Sequence, residues 1–155
     1  MNPANQQVIN IWKSFNFCKV NYLTIGGFAV NIYGFNRSTG DIDLYIEDTI
    51  ANRKNLRAAL KMAGIGDFEG LETLQFLPGW TDISLNYGLR LDIMTSVLGL
   101  ENESFEELRK LATVIEIEET PVYFLDYHNL IKAKQASNRL KDQLDIEELK
   151  KIRKE

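Results

Sequence analysis

Residues 41–46 read Asp-Ile-Asp-Leu-Tyr-Ile, an alternation of acidic and apolar side chains. In a β-strand successive side chains point to opposite faces, so this period of two predicts a strand. Asp41 and Asp43 then share one face, and Ile42 and Leu44 share the other, which we expect to lie against the core. Two neighbouring carboxylates repel each other, and a divalent cation between them relieves the repulsion. The segment therefore predicts a half-buried strand with a candidate metal site on its acidic face.

A second acidic strand is predicted over residues 89–94, where leucine and isoleucine alternate with Arg90 and Asp92. If this strand lies beside 41–46 in register, a third carboxylate joins the first two. Three such carboxylates are suited to holding one or two Mg²⁺ ions for phosphoryl chemistry. Two alternatives stay open from the residues alone: Asp92 is an exposed residue paired with Arg90, or Asp82 supplies the third carboxylate.

The glycine pair Gly26-Gly27 stands between a predicted strand over 21–25 and a predicted short helix over 28–33. Backbone N–H groups at the amino end of a helix bind phosphate, and glycines let the phosphate approach closely. A phosphate cradle just before a metal-binding carboxylate pair is the equipment needed to hold a nucleoside triphosphate.

Helical and strand patterns alternate along the chain without a Pro-, Gly- or Ser-rich linker. The predicted helices cover 5–16, 28–33, 49–63, 104–111, 127–136 and 139–154, the last one starting at Asn138; the predicted strands cover 21–25, 41–46, 73–77, 83–87, 89–94, 113–117 and 122–125. This pattern predicts an α+β fold, a small mixed sheet flanked by helices, with helices also at the carboxyl end. We expect one domain over 1–155, with a core over about 21–125 and a helical part over about 126–155.

Composition excludes several classes of protein. The chain is 45% hydrophobic with a net charge of −4, which argues against wholesale disorder and against coating nucleic acid by bulk charge. No apolar run approaches the ~18 residues of a membrane-spanning helix. The first residues lack the basic and apolar stretches of a secretion signal, and Cys18 is the single cysteine. We therefore expect a cytoplasmic protein without an internal disulfide.

The segment from Ile25 to Leu44 resembles the signature of minimal nucleotidyltransferases of the polymerase-β superfamily. That signature is a glycine pair, a short helix, an arginine with Ser or Thr, and then Asp-x-Asp. The likeness is nearest to the AbiEii-like branch, which includes toxin and abortive-infection proteins. It continues through residues 91–96 and the helices at the carboxyl end, and so covers about 21–150. The resemblance implies the nucleotidyltransferase fold.

The resemblance also implies an activity and its residues. The implied reaction moves a nucleoside monophosphate from an NTP to a hydroxyl acceptor with Mg²⁺ or Mn²⁺ and releases pyrophosphate. Asp41, Asp43 and Asp92 would be catalytic and bind the metal. Gly26, Gly27, Arg37 and Thr39 would bind nucleotide or phosphate, and further contributions would come from Arg139, Lys141, Asp142 and Asp145.

The positions of Lys134 and Arg37 in the sequence suggest roles for both basic residues. Lys134 falls on the same helical stripe as Leu130 and Ile131, so it must reach solvent or point into a polar cavity such as a triphosphate cleft. We expect it to bind phosphate or to be solvated. Arg37 lies shortly before Asp41, where it would either bridge carboxylates or contact a phosphate.

Rival functions keep the fold and remove the catalysis. The chain would then be an inactive nucleotidyltransferase-fold protein that senses nucleotides, or an antitoxin-like partner that binds another protein. As an enzyme it would act on an unidentified hydroxyl acceptor, with tRNA, a protein side chain and a small molecule all candidates, and it could belong to a toxin–antitoxin pair or a phage-defence system. We expect no membrane partner.

Overall fold

The computed structural model describes residues 3–76 and 79–155. The helices are α1 (Pro3–Phe17), α2 (Gly26–Ile32), α3 (Ile50–Met62), α4 (Phe105–Lys110), α5 (Tyr127–Ser137) and α6 (Leu140–Arg153). The strands are β1 (Tyr22–Ile25), β2 (Asp41–Ile46), β3 (Trp80–Ser84), β4 (Arg90–Met94), β5 (Thr113–Ile117) and β6 (Thr120–Phe124). Within the described ranges, no helix is long and apolar enough to traverse a lipid bilayer.

The described strands form one mixed sheet in the order β3-β4-β2-β1-β6-β5. Strand β2 runs antiparallel to β1 and parallel to β4, and β3 and β5 form the two edges. Strands β2 and β4 lie inside the sheet, and their apolar side chains Ile42, Leu44, Leu91 and Ile93 are fully buried. The expected α+β architecture, a mixed sheet flanked by helices, is confirmed.

Polar side chains fix where several helices begin. Thr49, Ser104 and Asp126 each accept a hydrogen bond from the backbone N–H three residues later. Such caps satisfy amides that have no partner inside the helix. They place α3, α4 and α5 within one residue of their predicted starts.

The predicted strand over 73–77 is wrong in its described part, and Leu77 lies outside the described residues. Residues 73–76 form a turn and an irregular segment beside α3. Arg53 on α3 donates from Nη1 to the carbonyl oxygens of Leu71 and Leu74, at 3.2 and 2.7 Å. A long-range contact to the backbone thus replaces the strand ladder that local β propensity suggested.

The next predicted strand is shifted along the chain. Strand β3 begins at Trp80, whereas 83–87 was predicted, and Tyr87 and Gly88 have φ of 62° and 73°. These left-handed residues form the turn of a hairpin, which the hydrogen bond from Leu85 N to Leu89 O closes at 2.9 Å.

Two predicted helix starts are also corrected. Helix α2 begins at Gly26, inside the glycine pair, rather than at 28. Asn138 does not start the last helix, because it adopts a left-handed conformation with φ of 50° and ends α5. Asparagine tolerates that conformation, and α6 then begins at Leu140.

Candidate active site

The parallel pairing of β2 and β4 brings three carboxylates together on one face of the sheet. Asp43 lies opposite Asp92 in the register, and Asp41 lies opposite Arg90. Their side chains differ in exposure, because Asp41 is 39% exposed and Asp92 only 9%. On the other side of β4, Asp82 pairs with Asp92 across the β3–β4 ladder and is exposed. The sequence predicted the faces of these strands, and the structure supplies their register.

Of the three carboxyls, Asp43 has a pKa that its surroundings raise strongly. Burial raises the pKa of Asp43 to about 7, and the hydrogen bond and negative charge of Asp92 and the charge of Asp41 act in the same direction. The positive charge of Lys141 opposes the rise. At neutral pH this carboxyl is therefore shared between its protonated and ionised forms, and added positive charge favours ionisation.

Arg90 binds two of the three carboxylates. Its Nη2 lies 3.2 Å from Asp41 Oδ2 and 3.1 Å from Asp92 Oδ2, and its Nε lies 3.0 Å from Asp92 Oδ1. Asp92 Oδ1 is buried and accepts no well-aligned hydrogen bond. Within residues 3–76 and 79–155, no three acidic, histidine or cysteine side chains are already converged as a metal site. Asp92 thus pairs with Arg90, as one alternative expected, but it is buried rather than exposed and lies within the carboxylate cluster.

Gly26 allows the start of α2 to approach the cluster. It has φ of 67°, and a Cβ at this position would lie 1.9 Å from Asp43 Oδ2. Gly27 packs instead against Thr39, whose Oγ1 would lie 2.7 Å from a Cβ added there. Thr39 donates from that hydroxyl to the carbonyl oxygen of Asp41 at 3.1 Å and so holds the start of β2.

Arg37 contacts neither Asp41 nor Asp43. Its Nε and Nη2 donate to the two carboxylate oxygens of Asp145 on α6, at 2.8 and 2.9 Å. This two-pronged pair ties the segment before β2 to the last helix. Of the two expected roles, the structure gives Arg37 a carboxylate partner, and that partner comes from the far end of the sequence.

Lys134 is buried in a network of charges between α5 and α6. It is 5% exposed, and its Nζ lies 2.8 Å from Asp145 Oδ2 and 3.3 Å from Asp142 Oδ1. Asp142 and Asp145 are themselves fully buried. Of its two expected surroundings, Lys134 therefore has the polar cavity rather than solvent, but two carboxylates already neutralise its ammonium group.

The same network includes Arg139 and Ser137. Asp142 accepts hydrogen bonds from Arg139 Nε at 2.8 Å and from Ser137 Oγ at 2.6 Å. Burial acts to raise the pKa of Asp142, but these hydrogen bonds and the charge of Lys134 outweigh it and hold that pKa well below its usual range. Asp142 is thus ionised and fully engaged in holding the helices together.

A cleft of about 450 Å³ connects the carboxylate cluster with this network. Its lining includes Gly26, Asp41, Asp43, Asp92, Lys134, Arg139, Lys141 and Asp142, but not Gly27, Arg37, Thr39 or Asp145. A larger groove of about 820 Å³ runs along the edge strand β3 and is mainly apolar. Trp80 borders both cavities, so the groove opens beside the cleft.

Lys141 and Arg90 are the two residues whose positions add most to the sequence reasoning. Among the described residues Lys141 forms no ion pair, and it is exposed at the mouth of the cleft. The sequence pattern predicts Arg90 only as an ion-pair partner of Asp92, in the alternative where Asp92 has no role in a metal site. A basic residue two positions from a predicted metal ligand, on the same strand face, is the signal that could have identified it.

Several solved structures share the overall fold of this chain. LnuA, a lincosamide antibiotic adenylyltransferase solved with lincomycin bound, aligns with a TM-score of 0.63 and 16% identity over 95% of this chain and 96% of its own. TM1012 of Thermotoga maritima, provisionally assigned as a nucleotidyltransferase, aligns with a TM-score of 0.60 and 17% identity over 97% of this chain and 93% of its own. The antibiotic-resistance factor ANT(2'')-Ia aligns with a TM-score of 0.59 and 15% identity over 97% of this chain and 85% of its own.

No protein-family model matches the chain, and no curated protein matches it at the significance required. The structural likeness at these low identities establishes the architecture. The chain has the nucleotidyltransferase fold, as the resemblance in its sequence implied.

Proposed function

We propose that this chain transfers a nucleoside monophosphate from an NTP to a hydroxyl acceptor in a reaction that depends on Mg²⁺ or Mn²⁺. The observation that carries the proposal is the register of β2 and β4, which sets Asp43 opposite Asp92 beside Asp41 on the wall of a cleft. The nucleotidyltransferase fold of the chain supports it.

The donor set supports a divalent cation. Carboxylate oxygens are the ligands that Mg²⁺ prefers, and Asp92 Oδ1 is a buried oxygen without an aligned donor. The cation would be held by Asp41, Asp43 and Asp92. When the cation binds, Arg90 would have to move away from the carboxylates of Asp41 and Asp92. Once bound, the cation would neutralise the charge that develops on the triphosphate.

The chain's own groups would then direct the reaction. The acceptor oxygen bonds to the α-phosphorus while the bond from that phosphorus to the β-phosphate oxygen breaks, and pyrophosphate leaves with the electron pair. Asp92 would take the proton of the attacking hydroxyl at a carboxylate oxygen. Asp43 would contribute most when ionised, which the positive charge at the site favours.

The triphosphate would lie between the carboxylates and α6. We assign the phosphates to the backbone at Gly26 and to Lys141, because Lys141 is exposed on the cleft and carries a charge without an ion partner in the described chain. Gly27, which is buried against Thr39 and does not line the cleft, would support the turn at Gly26 rather than contact phosphate. Lys134 and Arg139 would line the cleft, while their acidic partners keep α5 and α6 in position.

The acceptor in this proposal is a small molecule with a hydroxyl group, bound where the apolar groove meets the cleft at Trp80. Two of the structural neighbours are antibiotic-directed proteins, which supports a small acceptor. The sequence likeness to the AbiEii-like branch supports a second version, in which a tRNA or protein is the acceptor and a cytoplasmic toxin–antitoxin pair is the setting.

The test is transfer of label from an NTP by matched carboxylate variants. Wild-type protein is incubated with each α-³²P NTP, Mg²⁺ and pools of hydroxyl acceptors, and both the label transferred to the acceptor and the pyrophosphate released are measured. Asp92→Asn is expected to abolish both transfer and release, while Asp82→Asn, which removes the exposed carboxylate across the same ladder, retains them. Loss in Asp82→Asn with full activity in Asp92→Asn would overturn the assignment. NTP binding without turnover would favour a nucleotide sensor.

A further inference from the structure

The guanidinium of Arg90 occupies the region between two predicted metal ligands. Its Nη2 is within 3.2 Å of an oxygen of Asp41 and within 3.1 Å of an oxygen of Asp92. A divalent cation bound by these two carboxylates would need the same oxygens. Arg90 and the cation therefore compete for one set of ligands.

The position of Arg90 allows its side chain to leave without moving the strand. Its backbone N–H donates to the carbonyl oxygen of Gly40 at 3.0 Å, which anchors the residue in the sheet. Its side chain is 46% exposed, so the guanidinium borders solvent on the side away from the carboxylates. Rotation of the side chain needs no repacking of the buried face, where Leu91 and Ile93 lie.

Charge explains why the chain keeps an arginine here. Without a metal ion and without Arg90, Asp41, Asp43 and Asp92 would face one another with no positive charge in contact, a costly arrangement for partly buried carboxylates. The other arginines of the cleft region have partners elsewhere, since Arg37 binds Asp145 and Arg139 binds Asp142.

We propose that Arg90 is an internal counter-cation that neutralises the carboxylate cluster in the metal-free protein and must be displaced when a divalent cation binds. It thereby weakens cation binding and stabilises the empty site. The inference rests on the cation site of the proposed function and adds a residue that tunes it. Once displaced, the guanidinium stands at the rim of the cleft.

The experiment measures binding of Mn²⁺ and Mg²⁺ alone, without nucleotide, by titration calorimetry at low ionic strength. Arg90→Gln is compared with wild type and with Arg57→Gln. Arg57 is a matched control, because it too bridges two carboxylates, those of Asp67 and Glu72, outside the residues that line the cleft. Both variants lower the net charge by one, so a general effect of charge appears in both.

Arg90→Gln is expected to bind the cation about tenfold more tightly than wild type, the scale expected for one charge a few ångströms from a divalent ion in a solvated site. Arg57→Gln is expected to match wild type. In thermal melts with EDTA, Arg90→Gln is expected to melt at a lower temperature than wild type. Saturating Mn²⁺ is expected to raise the melting temperature of Arg90→Gln more than that of wild type.

Equal or weaker cation binding by Arg90→Gln, beside clear binding by wild type, would overturn the role of Arg90 and leave the proposed function in place. Equal tightening in Arg57→Gln would also overturn it, because the effect would then be one of net charge. Absence of cation binding in all three proteins would overturn the cation site itself, and the metal-dependent function with it.

Discussion

Because of the carboxylate cluster, we expect the free energy of unfolding of the metal-free protein to fall as pH rises. Burial and the neighbouring acids raise the pKa of Asp43 from 3.8 to about 7. Between these two values the folded protein binds more protons at Asp43 than the unfolded chain does, so folding is favoured at low pH and loses that advantage above pH 7. Asp43→Asn keeps a neutral side chain at every pH and removes this dependence.

The magnitude follows from the two pKa values. Each tenfold change in proton affinity is worth about 1.4 kcal/mol. Raising the pKa of Asp43 from 3.8 to about 7 therefore costs the ionised folded protein about 4 kcal/mol. Near pH 8 and in EDTA, Asp43→Asn should be more stable than wild type by about this amount, whereas near pH 4 the two should be alike.

Urea unfolding followed by circular dichroism, at a series of pH values, measures the difference. Asp82→Asn is the control, since it removes an exposed carboxylate on the neighbouring strand. The reasoning fails if the gain from Asp43→Asn is the same at both ends of the range, or if Asp43→Asn is the less stable protein near pH 8.

Two further substitutions test the surroundings of the cluster. Lys134→Met leaves the buried carboxylates of the α5–α6 network without their shared ammonium and should cost about 3–5 kcal/mol in urea unfolding. Lys132→Met, at an exposed ion pair, should cost less than about 1 kcal/mol, and equal losses would contradict the buried network. Gly26→Ala should lower the melting temperature and weaken NTP binding, because its Cβ would meet Asp43. Gly64→Ala has positive φ but open space around it, so an equal loss of NTP binding there would show that contact with Asp43 is not the cause.

The sequence specified the central strands well because their faces have opposite character. Strand β2 spans the predicted 41–46, and its alternation of acids with Ile42 and Leu44 leaves one register in which the apolar side chains are buried. The segment 73–76 also alternates, as Thr-Leu-Gln-Phe, but Leu74 is exposed, and Arg53 binds the carbonyl oxygens of Leu71 and Leu74 where a strand ladder was expected. Local pattern sufficed where burial and period agreed, and failed where a distant side chain intervened.

The candidate site also has a part that local sequence pattern predicts and a part that depends on distant contacts. Period two placed Asp41 with Asp43 and Arg90 with Asp92, but only pairing of the strands could bring the two sets together. The partner of Arg37 is Asp145, which is 108 residues away and carries no local signal. Such pairs depend on how helices pack, and side-chain spacing within one element does not encode that.

The most direct test of the account is calorimetry of each NTP with and without Mg²⁺, on wild type and on Asp41→Ala/Asp43→Ala. Asp82→Ala serves as the control for loss of an acidic side chain near the cleft. The account predicts Mg²⁺-dependent binding of at least one NTP to wild type and to Asp82→Ala, and no such binding to the double variant. Binding that the double variant retains in full, or that needs no cation, would contradict the central claim that these carboxylates hold a metal-bound nucleotide.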